Sequence, residues 1–94
     1  MQQCYRRNPS IETAPLDEEA ILFNPAANRF VVMNSTGGFI WNLLEEARSA
    51  DHLARAVCDH FAQVSLPDAM RDVENILAQM ESQNLIICEG VTDG

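Results

Sequence analysis

The sequence predicts an α+β domain in which a small antiparallel sheet is followed by three helices. Two short apolar segments, residues 20–24 and 29–34, flank a proline-containing loop, and this pattern is typical of a β-hairpin. After residue 34 the apolar residues recur at helical spacing instead. Strands and helices that occupy separate parts of a chain are typical of the α+β class.

The sheet is completed by a predicted first strand at residues 10–14, which Pro15 limits. The loop of residues 25–28 is short enough for a hairpin, and Asn28 can adopt the left-handed backbone conformation that such loops often need. Residues 85–88 are predicted to form a further short extended segment. Because a sheet of two or three strands is not stable alone in water, we expect one of its faces to pack on the helices.

Each of the three predicted helices is preceded by N-cap candidates. They are Asn34, Ser35 and Thr36 for the first helix, Ser49 for the second and Ser65 for the third. Trp41, in the first helix, is expected in the core. The third helix is the most regular, because its apolar residues fall within an arc of about 120°. That arc consists of Ala69, Met70, Val73, Ile76, Leu77 and Met80.

A chain of 94 residues is expected to form one domain. We place that domain at residues 10–88. Residues 1–9 are polar and lack a period, so they are predicted to be a flexible N-terminal arm. Residues 89–94 are predicted to be a frayed C-terminal tail.

The charge of the chain argues against nucleic acids and membranes as partners. There are 14 acidic residues against six arginines and no lysine, which gives a net charge of −8. Nucleic-acid binding needs clustered basic residues, and an anionic membrane surface would repel this chain. No apolar run approaches the roughly 20 residues that span a bilayer.

The three cysteines, Cys4, Cys58 and Cys88, include no CxxC pair. We therefore expect free thiols in a reducing compartment. The N-terminal segment carries two arginines but no apolar stretch of the secretory type. The sequence thus predicts a cytoplasmic protein.

No motif for catalysis or for a cofactor is apparent. The sequence contains no GxxxxGK[ST], GxGxxG, HExxH or GxSxG pattern. His52 and His60 are eight residues apart, whereas two metal ligands on one helix usually lie three or four apart. We predict a protein that is not an enzyme and has no catalytic residues, no metal site and no cofactor.

Three stretches in a fixed order carry a resemblance to a known family. They are ILFNP at residues 21–25, RFVVMNSTG at residues 29–37 and IWNLLE at residues 40–45, and Asn84-Leu85-Ile86 follows near the end. Together they resemble the PqqD family, the pyrroloquinoline-quinone biosynthesis protein D and its relatives, over roughly residues 10–88.

The chain departs from the family pattern at three positions. Asn28 stands where the family usually has glycine, Ser35 stands where it has glutamate, and Gly38 is an additional glycine. These departures leave open whether the chain serves the quinone-cofactor pathway or another peptide product.

The resemblance implies a winged-helix-like fold and a non-catalytic peptide chaperone. Such a protein binds the leader segment of a ribosomally made precursor peptide and presents it to a modifying enzyme, such as a radical-SAM enzyme or a leader peptidase. The leader adds as a further strand beside the third strand, and its side chains enter the groove between that strand and the third helix. The candidate peptide-binding residues are Arg29, Phe30, Val31, Val32 and Met33 on the strand and Ala69, Met70, Arg71, Val73 and Leu77 on the helix.

The residues themselves are consistent with strand addition, because an edge strand offers unpaired backbone groups. Phe30 and Val32 point to one face of the third strand and Val31 and Met33 to the other, and the sequence does not tell which face lines a groove. Arg29 and Arg71 are the bases available near it, so acidic leader residues are expected beside them.

The sequence leaves other functions open. A winged-helix DNA-binding regulator would need a basic recognition helix, but the third helix carries Arg71 against four acids. An accessory subunit that only docks on a larger enzyme is a further alternative. The free edge of the third strand also offers a site for pairing with a second copy, which would give a homodimer.

Overall fold

The computed structural model describes residues 3–16 and 19–89 and confirms the α+β class. These residues form two three-stranded antiparallel sheets and three helices. In chain order the elements are β1 (Cys4–Arg7), β2 (Glu12–Leu16), β3 (Glu19–Asn24), β4 (Arg29–Met33), α1 (Ser35–Leu43), β5 (Arg48–Ser49), α2 (Ala50–His60), α3 (Leu66–Ser82) and β6 (Ile86–Glu89).

The predicted sheet has the strand order β2-β3-β4. Its hairpin is the predicted one: β3 and β4 pair from Ala20 with Met33 to Asn24 with Arg29, and Asn28 has a φ of 53°. The first strand lies two residues later than expected, at Glu12–Leu16. It therefore includes Pro15, which an edge strand tolerates because a proline nitrogen can face away from the neighbouring strand.

The three helices begin at the predicted N-caps. The backbone N–H of Gly37 donates to Oδ1 of Asn34 (2.8 Å), and Ser49 and Ser65 accept from the N–H groups three residues later. At Gly37 the first turn of α1 lies close to β4, since a Cβ atom there would be 3.1 Å from Sδ of Met33. Glycine at this position thus lets α1 start directly against the sheet.

The second sheet was not predicted. Its strand β1 (Cys4–Arg7) lies in the segment expected to be a flexible arm, so that expectation does not hold for these four residues. The strand order of this sheet is β5-β1-β6, with Cys4 of β1 opposite Glu89 of β6. Arg7 also connects β1 to α1. Its Nε donates to the backbone carbonyl of Trp41 (2.8 Å), and its guanidinium lies 4.8 Å from the centre of the Trp41 ring. Of the predicted tail, only Glu89 lies within the described residues.

The core lies between the β2-β3-β4 sheet and the helices. Trp41 is fully buried, as predicted, and its Nε1 donates to Oγ1 of Thr13 on β2 (2.9 Å). Leu22 and Ile40 are also fully buried. Within residues 3–16 and 19–89, no helix has the length and apolar character needed to cross a membrane.

Candidate functional site

The two outer strands of the β2-β3-β4 sheet differ in the backbone hydrogen-bonding groups that their free edges expose. Beside β4 there is no further strand among the described residues, so the backbone groups on its far side are unpaired. On the opposite side, β2 contains Pro15, which has no backbone N–H to donate. β4 is therefore the better edge for an added strand.

The side chains of β4 divide between two faces of the sheet. Met33 is buried and Val31 is half-buried, so both lie on what we call the inner face, toward the core. Phe30 and Val32 are 72% and 64% exposed, and they lie on what we call the outer face. Side-chain alternation alone does not show which of these two pairs faces the core, and the structure shows that it is Val31 and Met33.

A groove lies on the inner side of β4, between this strand and the C-terminal end of α3. It has a volume of about 240 Å³. Arg29 and Val31 line it from the strand, and the end of α3 with the residues after it forms the facing wall. The other lining residues are Asn24, Ala27, Ser82, Gln83, Asn84 and Leu85.

The facing wall of the groove is held by the hydrogen bonds that end α3. Asn84 has a left-handed φ of 58° and its N–H donates to the carbonyl of Glu81 (3.0 Å). The N–H of Leu85 donates to the carbonyl of Met80 (2.9 Å). Together these bonds form a Schellman motif, in which asparagine can replace the usual glycine.

The hairpin loop is tied to the same wall. Asn24 is almost fully buried, and its Oδ1 accepts from the N–H groups of Ala26 and Ala27. Its Nδ2 donates to the carbonyl of Gln83 (3.5 Å). Both sides of the groove are thus positioned by hydrogen bonds within the domain.

The helix residues predicted to bind peptide do not lie at this groove. Ala69, Val73 and Leu77 point into the core and are at most 2% exposed. Met70 lines a separate depression, together with Tyr5 of β1.

Arg71 is also distant from the groove, and it forms an ion pair with Asp68 (3.4 Å). It precedes Ser82 by eleven residues, which is about 16 Å along the helix axis. The structure therefore places the strand residues Arg29 and Val31 beside the C-terminal end of α3. The helix residues predicted from the sequence lie in the N-terminal half and the middle of α3 instead.

Sequence reasoning missed the contribution of Asn24, Ala27 and residues 82–85 to the groove. The sequence contains one signal for it, because Asn84-Leu85-Ile86 resembles the closing segment of the family pattern. An asparagine directly after a long amphipathic helix is a common helix-ending residue, so the end of α3 was predictable. That this end of α3 lies beside β4 was not predictable from the sequence.

The groove has a local charge opposite to that of the whole chain. Among the described lining residues Arg29 is the only charged one, whereas the chain as a whole carries −8. An acidic group on a bound molecule would therefore be attracted to the guanidinium of Arg29. Within the described ranges no three His, Cys, Asp or Glu side chains come close enough to hold a metal ion.

Two solved structures are similar to this chain over nearly its full length. One is TbiB1 in complex with the TbiA(beta) leader peptide, with 25% sequence identity, a TM-score of 0.78 and coverage of 94% of this chain and 99% of that chain. The other is a lasso peptide synthetase B1 complexed with the leader peptide, with 20% identity and a TM-score of 0.76, covering 88% of this chain and 96% of that chain.

The curated proteins contain no significant match to the sequence. The family model described as coenzyme PQQ synthesis protein D (PqqD) matches residues 19–86, which is well over half of the chain. This match covers the hairpin, the free strand edge and the end of α3 that together form the groove. The chain belongs to the PqqD family.

Proposed function

We propose that this protein is a non-catalytic peptide chaperone that binds the leader segment of a ribosomally made precursor peptide. In this proposal the leader pairs as an antiparallel strand with the free edge of β4, and alternate side chains enter the groove beside the end of α3. The observation that carries the proposal is the unpaired edge of β4 bordering a groove of about 240 Å³. The similarity to two leader-peptide complexes supports it.

The residues that the leader would contact differ in part from those predicted from the sequence. The backbone of Arg29 to Met33 supplies the hydrogen bonds, and the side chains of Arg29 and Val31 contact the leader. Gln83 and Asn84 contact it from the other wall. The core positions Ala69, Val73 and Leu77 support the helix from beneath and do not touch the peptide.

The size of the site favours moderate affinity. A leader segment of about six to eight residues would bury less than roughly 1,200 Å² in total, which is typical of transient complexes. Each backbone hydrogen bond contributes a net of about 0.5–1.5 kcal/mol. A dissociation constant between micromolar and high nanomolar is consistent with these contributions.

A second part of the proposal concerns what happens to the bound leader. The protein holds the leader and presents it to a modifying enzyme, a radical-SAM enzyme or a leader peptidase, in the reducing cytoplasm. Because both similar structures are leader complexes and one is a lasso peptide synthetase B1, we propose a modified peptide of the lasso type as the product in preference to the quinone cofactor.

The alternative of DNA binding has little support in the structure. A recognition helix needs basic side chains that face a groove of the DNA. On α3 the single base, Arg71, is paired with Asp68, and Asp72, Glu74 and Glu81 add negative charge.

The proposal can be tested with N-methylated leader peptides. A search of the neighbouring genes for a short precursor reading frame supplies the leader sequence. The probe is a synthetic peptide of that leader segment, in a series that carries one backbone N-methyl group at each successive position. In an antiparallel pair only alternate residues direct their N–H groups at a given neighbour. We therefore expect N-methylation to weaken binding by roughly tenfold or more at every second position across the paired segment.

Isothermal titration calorimetry measures each affinity, and the same peptides without N-methyl groups are the controls. Affinities that change with no period of two would contradict strand addition. If the unmodified leader does not bind at all, the proposed function itself is wrong.

A further inference from the structure

The outer face of the β2-β3-β4 sheet carries an apolar cluster that lies outside the groove proposed for the leader. The cluster, here called the outer patch, consists of Ile21 and Phe23 on β3 and Phe30 and Val32 on β4. The strand register places Phe23 opposite Phe30 and Ile21 opposite Val32, and the two phenyl rings lie 4.6 Å apart. Exposed fractions of 72% for Phe30 and 64% for Val32 are unusual for large apolar side chains that have no binding role.

Among the described residues of these three strands, the charged side chains that share the outer face with the patch are acidic. Glu12 is opposite Phe23 in the register, so it extends the row of Phe23 and Phe30 on the same face. Glu19 precedes Ile21 by two residues on β3 and therefore also points to the outer face. No arginine occupies an outward-facing position on the described parts of these three strands, since Arg29 lines the groove on the inner side.

This arrangement argues against a second copy of the chain as the occupant. Two copies meeting through the same face would bring their Glu12 and Glu19 side chains together and would join two chains of charge −8. Like charges that face each other across an interface oppose association. The leader peptide does not cover the patch either. Paired with the edge of β4, it would place alternate side chains beside Phe30 and Val32, but Ile21 and Phe23 lie one strand further away.

A partner with an apolar surface bordered by basic residues fits both features of the outer patch. Val32 belongs to the patch and Val31 to the groove, so a protein seated on the patch would be adjacent to a leader bound along the same strand. Such adjacency is what presentation of the leader to an enzyme requires.

We propose that the outer patch is the docking surface for the enzyme that acts on the bound leader, through a complementary apolar surface with arginine or lysine at its border. This inference rests on the proposed function, because it assumes that the protein presents a leader. It adds that the enzyme covers the outer face of the sheet, while the leader lies at the edge of β4 and fills the groove on the inner side.

The test introduces a charge at Ile21, which lies on the outer face of β3 and away from the groove. The probe is a purified peptide-modifying enzyme, identified by the same search of the neighbouring genes that supplies the leader sequence. The variant Ile21→Lys places a positive charge against the proposed basic surface, and the exposed Gln79→Lys on α3 is the matched control. Enzyme affinity is measured by calorimetry with the leader present, and leader affinity is measured separately.

We expect Ile21→Lys to weaken enzyme binding by roughly tenfold or more and to change leader affinity by less than about twofold. Gln79→Lys should leave both affinities nearly unchanged. Binding to the wild-type protein should also weaken as salt is raised, because the border contacts are ionic. Circular dichroism of Ile21→Lys confirms that the domain remains folded, and if it does not, Ile21→Thr replaces it with the same expected direction.

Three results would overturn the inference while leaving leader binding intact. The first is equal enzyme affinity for the wild-type and Ile21→Lys proteins. The second is no binding of the enzyme to the wild-type protein with the leader bound. The third is a wild-type dimer in sedimentation velocity that Ile21→Lys converts to monomers, which would identify a second copy as the occupant.

Discussion

The two faces of the β2-β3-β4 sheet are built from the same strands but differ in how far their apolar side chains are buried. On the inner face Leu22 and Met33 are at most 8% exposed and pack into the core. On the outer face, Phe30 and Val32 are mostly exposed although they are as apolar as their inward-facing neighbours. The comparison teaches that apolar character alone does not identify the core of a small sheet, because here one face stabilises the fold and the other is free to bind.

The largest expected difference between the faces is in stability. Leu22→Ala removes a fully buried side chain and should lower the free energy of unfolding by about 2–5 kcal/mol. Ile21→Ala, at the next residue on the outer face, should lower it by less than about 1 kcal/mol. Urea denaturation followed by circular dichroism measures both values. Equal losses for the two variants would contradict the assignment of the faces.

A second test removes a polar contact made on the inner side of the sheet. Thr13→Val deletes the hydroxyl that accepts from Nε1 of the fully buried Trp41 (2.9 Å). Since a buried donor without a partner is unfavourable, we expect a loss of about 1–3 kcal/mol in the same denaturation assay. Ala14→Val, one residue along on the outer face, is the control and should be close to neutral. A neutral Thr13→Val would show that water replaces the hydroxyl.

A third test concerns binding and compares adjacent residues of β4. Val31→Ser removes apolar contact area from the groove and should weaken leader binding by roughly fivefold, or about 1 kcal/mol. Val32→Ser alters the outer face, where the leader would make cross-strand contacts but would not enter a groove, and should weaken leader binding less than Val31→Ser does. Calorimetry with the synthetic leader measures both. A larger effect at Val32 would place the leader on the other face.

The smallest effect is expected where the inner-face groove ends, at the left-handed residue after α3. Asn84→Gly keeps the conformation accessible and should change stability by no more than about 1 kcal/mol in either direction. Asn84→Ala should destabilise the protein relative to Asn84→Gly, because alanine disfavours a φ of 58°. Thermal unfolding ranks the two variants, and a more stable alanine variant would contradict the role of this residue as a helix end.

Much of the fold could be predicted because local sequence determines it. Asn34, Ser49 and Ser65 start their helices through contacts with residues three positions later. The hairpin follows from its loop, whose Asn28 has the expected left-handed conformation. Such signals lie within a few residues of one another, so a single sequence reveals them.

The unpredicted parts depend on contacts between distant residues. β1 is short and polar, and it becomes a strand because it pairs with β6, whose residues lie 79 to 85 positions later in the chain. Alternation separates Val31 from Val32, but only the packed structure shows which one faces the helices. The helical period likewise fixes the direction in which α3 buries its side chains, but not the turn of the helix that lies beside β4. For that reason the predicted Arg29 and Val31 line the groove, whereas the predicted residues of α3 lie elsewhere on the helix.

The hydrogen bonds at Asn24 and at the end of α3 have a consequence for the energetics of recognition. Because both walls are already in place, the protein loses little conformational entropy when a peptide arrives. The peptide must be ordered instead, at roughly 1–2 kcal/mol for each backbone residue fixed. Most of the gross interaction energy is therefore offset within the peptide itself, so a short segment can be held selectively and still dissociate readily once its chemistry is complete.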